Sequence, residues 1–192
     1  MIEIPMSNLP ESGEPAADAP EKRLPSASAR EAALYEYLTA LGILWTTHAH
    51  ATVFTVEEAQ SLRGALAGIH TKNLFLEDRK GGLWLVVARE VLAVDLNALA
   101  KALAAPRFSF GKPELLIDVL GIAPGAVTPF ALMNDKCGRV RVVFDEGLFA
   151  GAAVNFHPLR NDRTTAIAAP DLVAFAKATG HEPLIVPLPE RR

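Results

Sequence analysis

Three short segments of this 192-residue chain combine polar side chains with turn residues in patterns that could support chemistry. The first segment, residues 70–76, is an apolar run that Lys72 and Asn73 interrupt. A lysine in such a run is either a solvent-facing residue of a half-exposed strand or a cation at the mouth of a pocket. In the second case its charge would face a phosphate or a carboxylate.

The second segment, residues 121–129, contains two glycines and two prolines. This composition is typical of an ordinary turn between two elements. It also suits a backbone wall beside a ligand, because Gly125 lets the main chain approach closely and Pro129 fixes the exit of the turn. Backbone N–H groups in such a turn could polarise a carbonyl without any side-chain nucleophile.

The third segment, residues 155–162, is a strand end that leads into a polar loop, with His157 beside a proline. A single histidine is usually a hydrogen-bonded structural residue, although strand ends also direct side chains into sites. His48 and His50 form an H-x-H pair, but no carboxylate or cysteine at ligand spacing supports it, so we predict neither a metal nor a cofactor. Cys137 lacks the signature of a catalytic thiol, and no G-x-S-x-G elbow is present. An enzyme with this sequence would therefore act by positioning and electrostatics.

Apolar periodicity and turn residues predict the elements that hold these segments. They favour an α+β fold with a central, mostly antiparallel sheet flanked by helices, rather than a doubly wound sheet. Two of the strands form a hairpin around the turn at residues 79–82. The expected strands cover residues 43–48, 69–77, 83–89, 126–133, 139–144, 152–157, 163–168 and 184–186. The expected helices cover residues 29–41, 55–62, 96–103, 113–120 and 170–177.

The composition is that of a globular protein, with 50% hydrophobic and 21% charged residues. The single cysteine excludes a disulfide scaffold and fits a reducing compartment. No apolar run approaches the ~20 residues that a membrane helix needs. We therefore expect a cytoplasmic protein with no membrane partner.

The net charge of −3 belongs to one end of the chain. Residues 1–26 hold five acidic and two basic residues and five of the 14 prolines, which predicts a flexible tail. Residues 27–192 are expected to form a single domain, and its 17 acidic and 17 basic residues balance. A neutral domain neither supports nor excludes contact with RNA.

The order of the three segments resembles the YbaK/ProX family. The resemblance rests on Lys72-Asn73 in a strand, residues 125–129, and Asn155-Phe156-His157-Pro158 followed by Thr164-Thr165, and it extends over about residues 28–188. Members of this family are free-standing relatives of the editing domain inserted in bacterial prolyl-tRNA synthetases. The resemblance implies the fold of that editing domain. It also implies hydrolysis, without a metal, of the ester of a mischarged aminoacyl-tRNA. A chain of this length that carries Lys72-Asn73 is most similar to the ProX type, for which the expected substrate is alanyl-tRNA(Pro).

The resemblance also implies roles for individual residues. It places Lys72 near the phosphate of the terminal adenosine, Gly125 at the reacting carbonyl, and His157 in the pocket for the amino-acid side chain. These three are the expected catalytic residues. Those expected to bind substrate are Asn73, Ala126, Thr128, Pro129, Val53 and Phe54, with Leu62 as a further lining candidate. Val53, Phe54 and Leu62 could equally belong to the core.

The local basic residues suggest how the tRNA is held. Arg107 is the expected second tRNA contact besides Lys72, and Lys101 and Lys112 could extend the patch. Arg107 could equally be a solvated strand residue. The expected partners are the acceptor end of tRNA(Pro) carrying a small amino acid and, in addition, prolyl-tRNA synthetase.

The chemistry of the substrate accounts for the missing nucleophile. An aminoacyl ester is already activated, and the neighbouring ribose hydroxyl can orient or deprotonate a water molecule. A small pocket would exclude proline by steric contact. Two alternatives remain open at this point: a deacylase for cysteine or serine, and a non-catalytic module that binds tRNA or the synthetase.

Overall fold

The computed structural model describes residues 24–50 and 66–191. Helix α1, Ala27–Ala40, starts at Ser26, whose hydroxyl accepts a hydrogen bond from the backbone N–H of Ala29 at 3.1 Å. Leu34 and Leu38 of this helix are fully buried. The predicted helix at 55–62 and the pocket candidates Val53, Phe54 and Leu62 lie outside the described residues.

Eight strands in the described part of the chain form one mixed sheet in the order β1-β7-β6-β2-β3-β5-β8, with β4 paired to β2 off this path. Four of the strand pairs are antiparallel and three are parallel, so the α+β prediction is confirmed. The strands are β1 Trp45–Ala49, β2 Ile69–Asp78, β3 Leu83–Arg89, β4 Phe108–Phe110, β5 Val140–Asp145, β6 Ala153–Phe156, β7 Arg163–Ala168 and β8 Leu184–Val186.

Three further helices flank the sheet: α2 Leu96–Ala102, α3 Pro113–Leu120 and α4 Ala169–Ala178. Asp95 caps α2 by accepting hydrogen bonds from two backbone N–H groups. Helix α3 starts with a proline at its first position and ends at Gly121, which has a φ of 62°. These helices agree with the predicted ones within one or two residues.

One predicted strand is wrong. Residues 126–133 do not extend along the sheet, and a 3₁₀ helix, Pro129–Asn134, occupies most of this run. Pro129 has no N–H for a strand ladder, and the Thr128 hydroxyl accepts from the backbone N–H of Phe130 at 3.4 Å, which starts the turn. The apolar run was misleading because it packs into the core as a compact turn, with Phe130, Ala131 and Leu132 fully buried. The short strand β4 was not predicted, since three residues show no periodicity.

The sheet separates two hydrophobic cores, one on each face. Alternation along β2 shows this directly, because Phe75 packs in the larger core and Leu76 in the smaller one. In the larger core, Phe130 contacts Phe156 and Phe175 edge to face. No helix within residues 24–50 and 66–191 is long and apolar enough to cross a membrane.

Candidate active site

A gap along one edge of β2 brings the three sequence segments together. On this edge β2 pairs with β6 only at residues 69–70 and with β4 only at residues 76–78. Among the described strands, none pairs with β2 between these two contacts. The glycine turn, residues 121–128, reaches this gap and contacts β2 there. We call this gap the cleft.

Asn73 joins β2 to the glycine turn. Its side-chain Nδ2 donates a hydrogen bond to the carbonyl oxygen of Val127 at 2.9 Å, a contact that fixes which side of the amide is nitrogen. The other amide atom, Oδ1, is buried and has no hydrogen-bond partner. A buried acceptor without a donor is rare in folded proteins and is usually satisfied by water or a ligand. Asn73 therefore keeps an unpaired hydrogen-bond acceptor beside the glycine turn.

Lys72 lies on the opposite face of the sheet from Asn73, and His157 directly follows the last residue of β6. The parallel register pairs His70 with Asn155, and the Thr71 hydroxyl donates to the Asn155 carbonyl oxygen at 2.8 Å. Lys72 follows His70 by two residues and His157 follows Asn155 by two, so both lie just beyond the point where β2 and β6 stop pairing. Lys72 is half-buried, and no carboxylate of the described residues forms a salt bridge with it. Within the described residues, its ammonium group is therefore not engaged by a carboxylate.

His157 is held in one tautomer by the loop that follows it. Its Nδ1 lies 3.0 Å from the carbonyl oxygen of Arg163, and since a carbonyl can only accept, Nδ1 carries the proton. Burial lowers the pKa of His157, and the nearby charge of His50 lowers it further, while the hydrogen bond to the Arg163 carbonyl and the charges of Asp162 and Glu90 oppose this shift. A neutral imidazole with a proton on Nδ1 leaves Nε2 as a hydrogen-bond acceptor.

Gly125 is exposed, with a φ of 87° that favours glycine. A methyl group at this position would lie 4.0 Å from Nδ2 of Asn161, so the glycine turn and the loop after β6 come together here. The three candidates that follow Gly125 are buried behind the turn: Ala126, Thr128 and Pro129. Thr128 is completely buried and caps the 3₁₀ helix, so its hydroxyl already has a partner. These residues support the turn from the protein side.

An ionic network on α1 holds the loop after β6. Arg160 forms a two-point ion pair with Asp162, with Nε–Oδ1 and Nη2–Oδ2 distances of 2.5 and 2.6 Å. Its Nη1 also lies 2.9 Å from Glu31, a buried carboxylate that accepts a further hydrogen bond from Tyr35. The Asp162 pair raises the pKa of Arg160 and lowers the pKa of Asp162. The network thus fixes the loop residues between His157 and Arg163, including Asn161.

Arg107 lies farther from the cleft than the other tRNA-binding candidate. It precedes Phe108, which pairs with Asp78, six residues beyond Lys72 on β2. At the rise of a β-strand this separation is about 20 Å. Arg107 is exposed there, and it cannot contact the same phosphate as Lys72.

Sequence reasoning missed two contributors to the site. Asn161 was within the third segment but carried no signal of its own. Glu31 could not be found from the sequence, because it lies 129 residues from Arg160 and on a helix whose pattern only indicates packing. The sequence shows only that Glu31 is an acidic residue between the N-cap and Leu34, and the structure shows that it is buried.

The fold and the cleft together define an α+β domain in which a half-buried lysine and a glycine turn lie along one edge of β2. A model of the aminoacyl-tRNA editing domain matches residues 50–175. The chain belongs to this family, which confirms the resemblance seen in the sequence.

Two curated relatives match most of the chain. The prolyl-tRNA synthetase associated domain-containing protein 1 of Bos taurus is 38% identical over 160 residues, which cover 81% of this chain and 93% of the relative. The prolyl-tRNA editing protein ProX of Acetoanaerobium sticklandii is 35% identical over 145 residues, covering 75% and 88%. A solved structure described provisionally as a trans-editing enzyme for prolyl-tRNA synthetase superposes with a TM-score of 0.66 at 21% identity. The superposition covers 88% of this chain and 99% of that structure, which supports the same fold.

Proposed function

We propose that this protein is a trans-editing deacylase that hydrolyses the ester of alanyl-tRNA(Pro). Membership of the aminoacyl-tRNA editing family and the likeness to the editing protein ProX support a deacylase acting on tRNA. The observation that carries the proposal is the cleft along β2. Along this edge Lys72 carries an ammonium on one face of the strand, and the next residue, Asn73, is bonded to the glycine turn on the other face.

Lys72 would hold the phosphate of the terminal adenosine. A lysine acts as a point charge for phosphate, and this one has no described carboxylate to compete with the ligand. The free Oδ1 of Asn73 would accept a hydrogen bond from a ribose hydroxyl near the ester. These two contacts would fix the ester relative to the glycine turn.

The chemical step would rely on the substrate and on the backbone. The ribose hydroxyl next to the ester would orient a water molecule, which adds to the ester carbonyl carbon. Backbone N–H groups near Gly125 would stabilise the resulting oxyanion. The tetrahedral intermediate then collapses to free alanine and the ribose hydroxyl of the tRNA, which takes up a proton from the attacking water.

Selectivity for alanine would come from the size of the pocket. The neutral, half-buried ring of His157 would limit the space for the amino-acid side chain, and the loop network would keep it in place. A fixed wall excludes a larger side chain more firmly than a hydrophobic pocket rejects a smaller one. Proline would be too large, whereas cysteine and serine differ from alanine by a single heavy atom.

The test compares four substrates under the same conditions: alanyl-, cysteinyl-, seryl- and prolyl-tRNA(Pro), with ester loss measured over time. We expect alanyl-tRNA(Pro) to be deacylated fastest and prolyl-tRNA(Pro) to stay intact. Faster loss of the cysteinyl or seryl ester would overturn the substrate assignment. If the protein binds tRNA(Pro) and deacylates none of the four, it is a non-catalytic binding module.

A further inference from the structure

Phe110 is an aromatic side chain that the core does not explain. It is 68% exposed, although it lies on β4 only two residues from Phe108, which is 7% exposed. Phe108 packs edge to face against Trp84 in the smaller core, with ring centroids 5.3 Å apart. The sequence therefore provides one phenylalanine for packing and leaves the next one in solvent.

The backbone presents the Phe110 ring at a defined position. Gly111 donates its N–H to the carbonyl oxygen of Phe75 at 2.9 Å. A side chain at Gly111 would come within 2.5 Å of the Phe75 ring, so a glycine is needed for this close approach. Phe110 itself pairs with Leu76 of β2. The ring is thus fixed to the same strand that carries Lys72.

The segment that carries Phe110 is basic, although Asp95 and Glu114 flank it and Glu77 of β2 pairs with Ser109. Residues 96–113, which we call the basic segment, contain Lys101, Arg107 and Lys112 and no acidic residue. All three basic side chains are exposed. An exposed aromatic ring among exposed cations is the arrangement that binds single-stranded nucleic acid, where bases stack on rings and cations contact phosphates.

Phe110 also lies between the cleft and Arg107. Its partner Leu76 is four residues beyond Lys72, so the two positions are about 13 Å apart on the same face of β2. Arg107 lies farther in the same direction. A strand of RNA that enters with its terminal adenosine at Lys72 would pass Phe110 before it reaches Arg107.

We propose that Phe110 is a stacking platform for an unpaired nucleotide that precedes the terminal adenosine of the tRNA acceptor end. The proposal rests on the proposed function, because that function places the terminal adenosine at Lys72. The occupant is single-stranded RNA, since the exposed Arg107 and Lys112 lie on either side of Phe110 in the chain.

The first experiment measures RNA binding without catalysis. Binding of a hairpin copy of the tRNA(Pro) acceptor stem that keeps the unpaired 3′ end is compared with binding of the same hairpin with a blunt end. We expect Phe110→Ala to weaken binding of the tailed hairpin by about 10- to 100-fold and to leave the blunt hairpin unchanged. Phe110→Trp should keep the affinity, whereas Phe110→Leu should lose it, because leucine keeps an apolar surface without a ring. Ile185→Ala, which removes an exposed apolar side chain from the opposite edge strand β8, serves as the matched control.

The second experiment separates this proposal from the proposed function. Hydrolysis is measured with alanyl-tRNA(Pro) and with alanyl-adenosine, which lacks the preceding nucleotides. We expect Phe110→Ala to raise KM for the tRNA with kcat unchanged, and to leave hydrolysis of alanyl-adenosine as it is in the wild type. If the wild type deacylates neither substrate but Phe110→Ala still weakens binding of the tailed hairpin, the proposed function fails and the platform stands.

Three results would overturn the platform. One is equal binding of the tailed hairpin by wild type and Phe110→Ala. Another is full affinity in Phe110→Leu. The third is a change from dimer to monomer in Phe110→Ala by analytical ultracentrifugation, which would assign the ring to contact with a second copy of the chain.

Discussion

The side chain of Asn73 donates a hydrogen bond to the carbonyl oxygen of Val127 at 2.9 Å, across the gap between β2 and the glycine turn. This bond links the strand that carries Lys72 to the turn that carries Gly125. The same amide keeps its oxygen buried and without a partner. One side chain thus links the strand to the turn and keeps an unpaired acceptor beside it.

Replacing Asn73 should therefore affect stability and activity differently. Asn73→Ala removes one hydrogen bond, which should lower the free energy of unfolding by about 1 kcal/mol. It should lower kcat/KM for alanyl-tRNA(Pro) by about 100-fold, because the turn loses its position and the ester loses a contact. Urea unfolding and deacylation rates check the two effects. Asn97→Ala, on the exposed surface of α2, is the control, and activity equal to that control would remove Asn73 from the site.

Gly125 and Gly81 provide a matched pair of substitutions. Both have positive φ, 87° and 79°, and an added methyl group would meet no atom closer than 4.0 Å in either case. Alanine should cost about 1–2 kcal/mol of stability at each position because the left-handed conformation is strained. Only Gly125→Ala should lower the deacylation rate, since only it places a methyl group at the proposed reacting carbonyl. Equal activity of the two variants would show that Gly125 is not at the reaction centre.

The ionic network of Arg160 should control the loop that carries Asn161. Arg160→Ala removes the shorter of the two guanidinium contacts of the buried Glu31 carboxylate and leaves only Arg163, at 3.4 Å. We expect this variant to lower Tm by roughly 4 °C. It should also raise KM for alanyl-tRNA(Pro), since the loop no longer holds its place beside Gly125. Arg139→Ala removes an exposed ion pair with Asp118 and is the control. A Tm unchanged from that control would contradict a structural role for the network.

Burial of His157 predicts a pH dependence of stability. Its pKa in the folded protein is below the ordinary value of 6.5, so the unfolded chain takes up a proton first as the pH falls. The free energy of unfolding should therefore be highest above pH 6.5 and decrease as the pH falls through and below that value. In His157→Gln this part of the decrease should be absent. Urea unfolding at a series of pH values measures it, and an identical pH profile in the variant would show that His157 titrates as it does in the unfolded chain.

Most of the fold could be predicted from local patterns. The β2–β3 hairpin, the cap at Asp95 and the stop at Gly121 depend on neighbouring residues, and the sequence shows those directly. The run at 126–133 was predicted wrongly because an apolar stretch does not show whether it is buried as a strand or as a turn.

The candidate site was also predictable only in part. Lys72, Asn73 and His157 were expected to be close because their motifs resemble a known family. The bond from Asn73 to Val127 and the contact of Arg160 with Glu31 join residues far apart in the chain, so no local pattern could reveal them.

The measurement that tests the central claim most directly is single-turnover hydrolysis of alanyl-tRNA(Pro) with the protein in excess. We predict that the wild type removes alanine much faster than the spontaneous reaction does. Lys72→Ala should slow this step by about 100-fold while it folds normally, and the exposed Lys136→Ala should act like the wild type. An alanyl ester that decays no faster with the wild type than without protein would contradict the deacylase. A Lys72→Ala variant with full activity would contradict the assigned site.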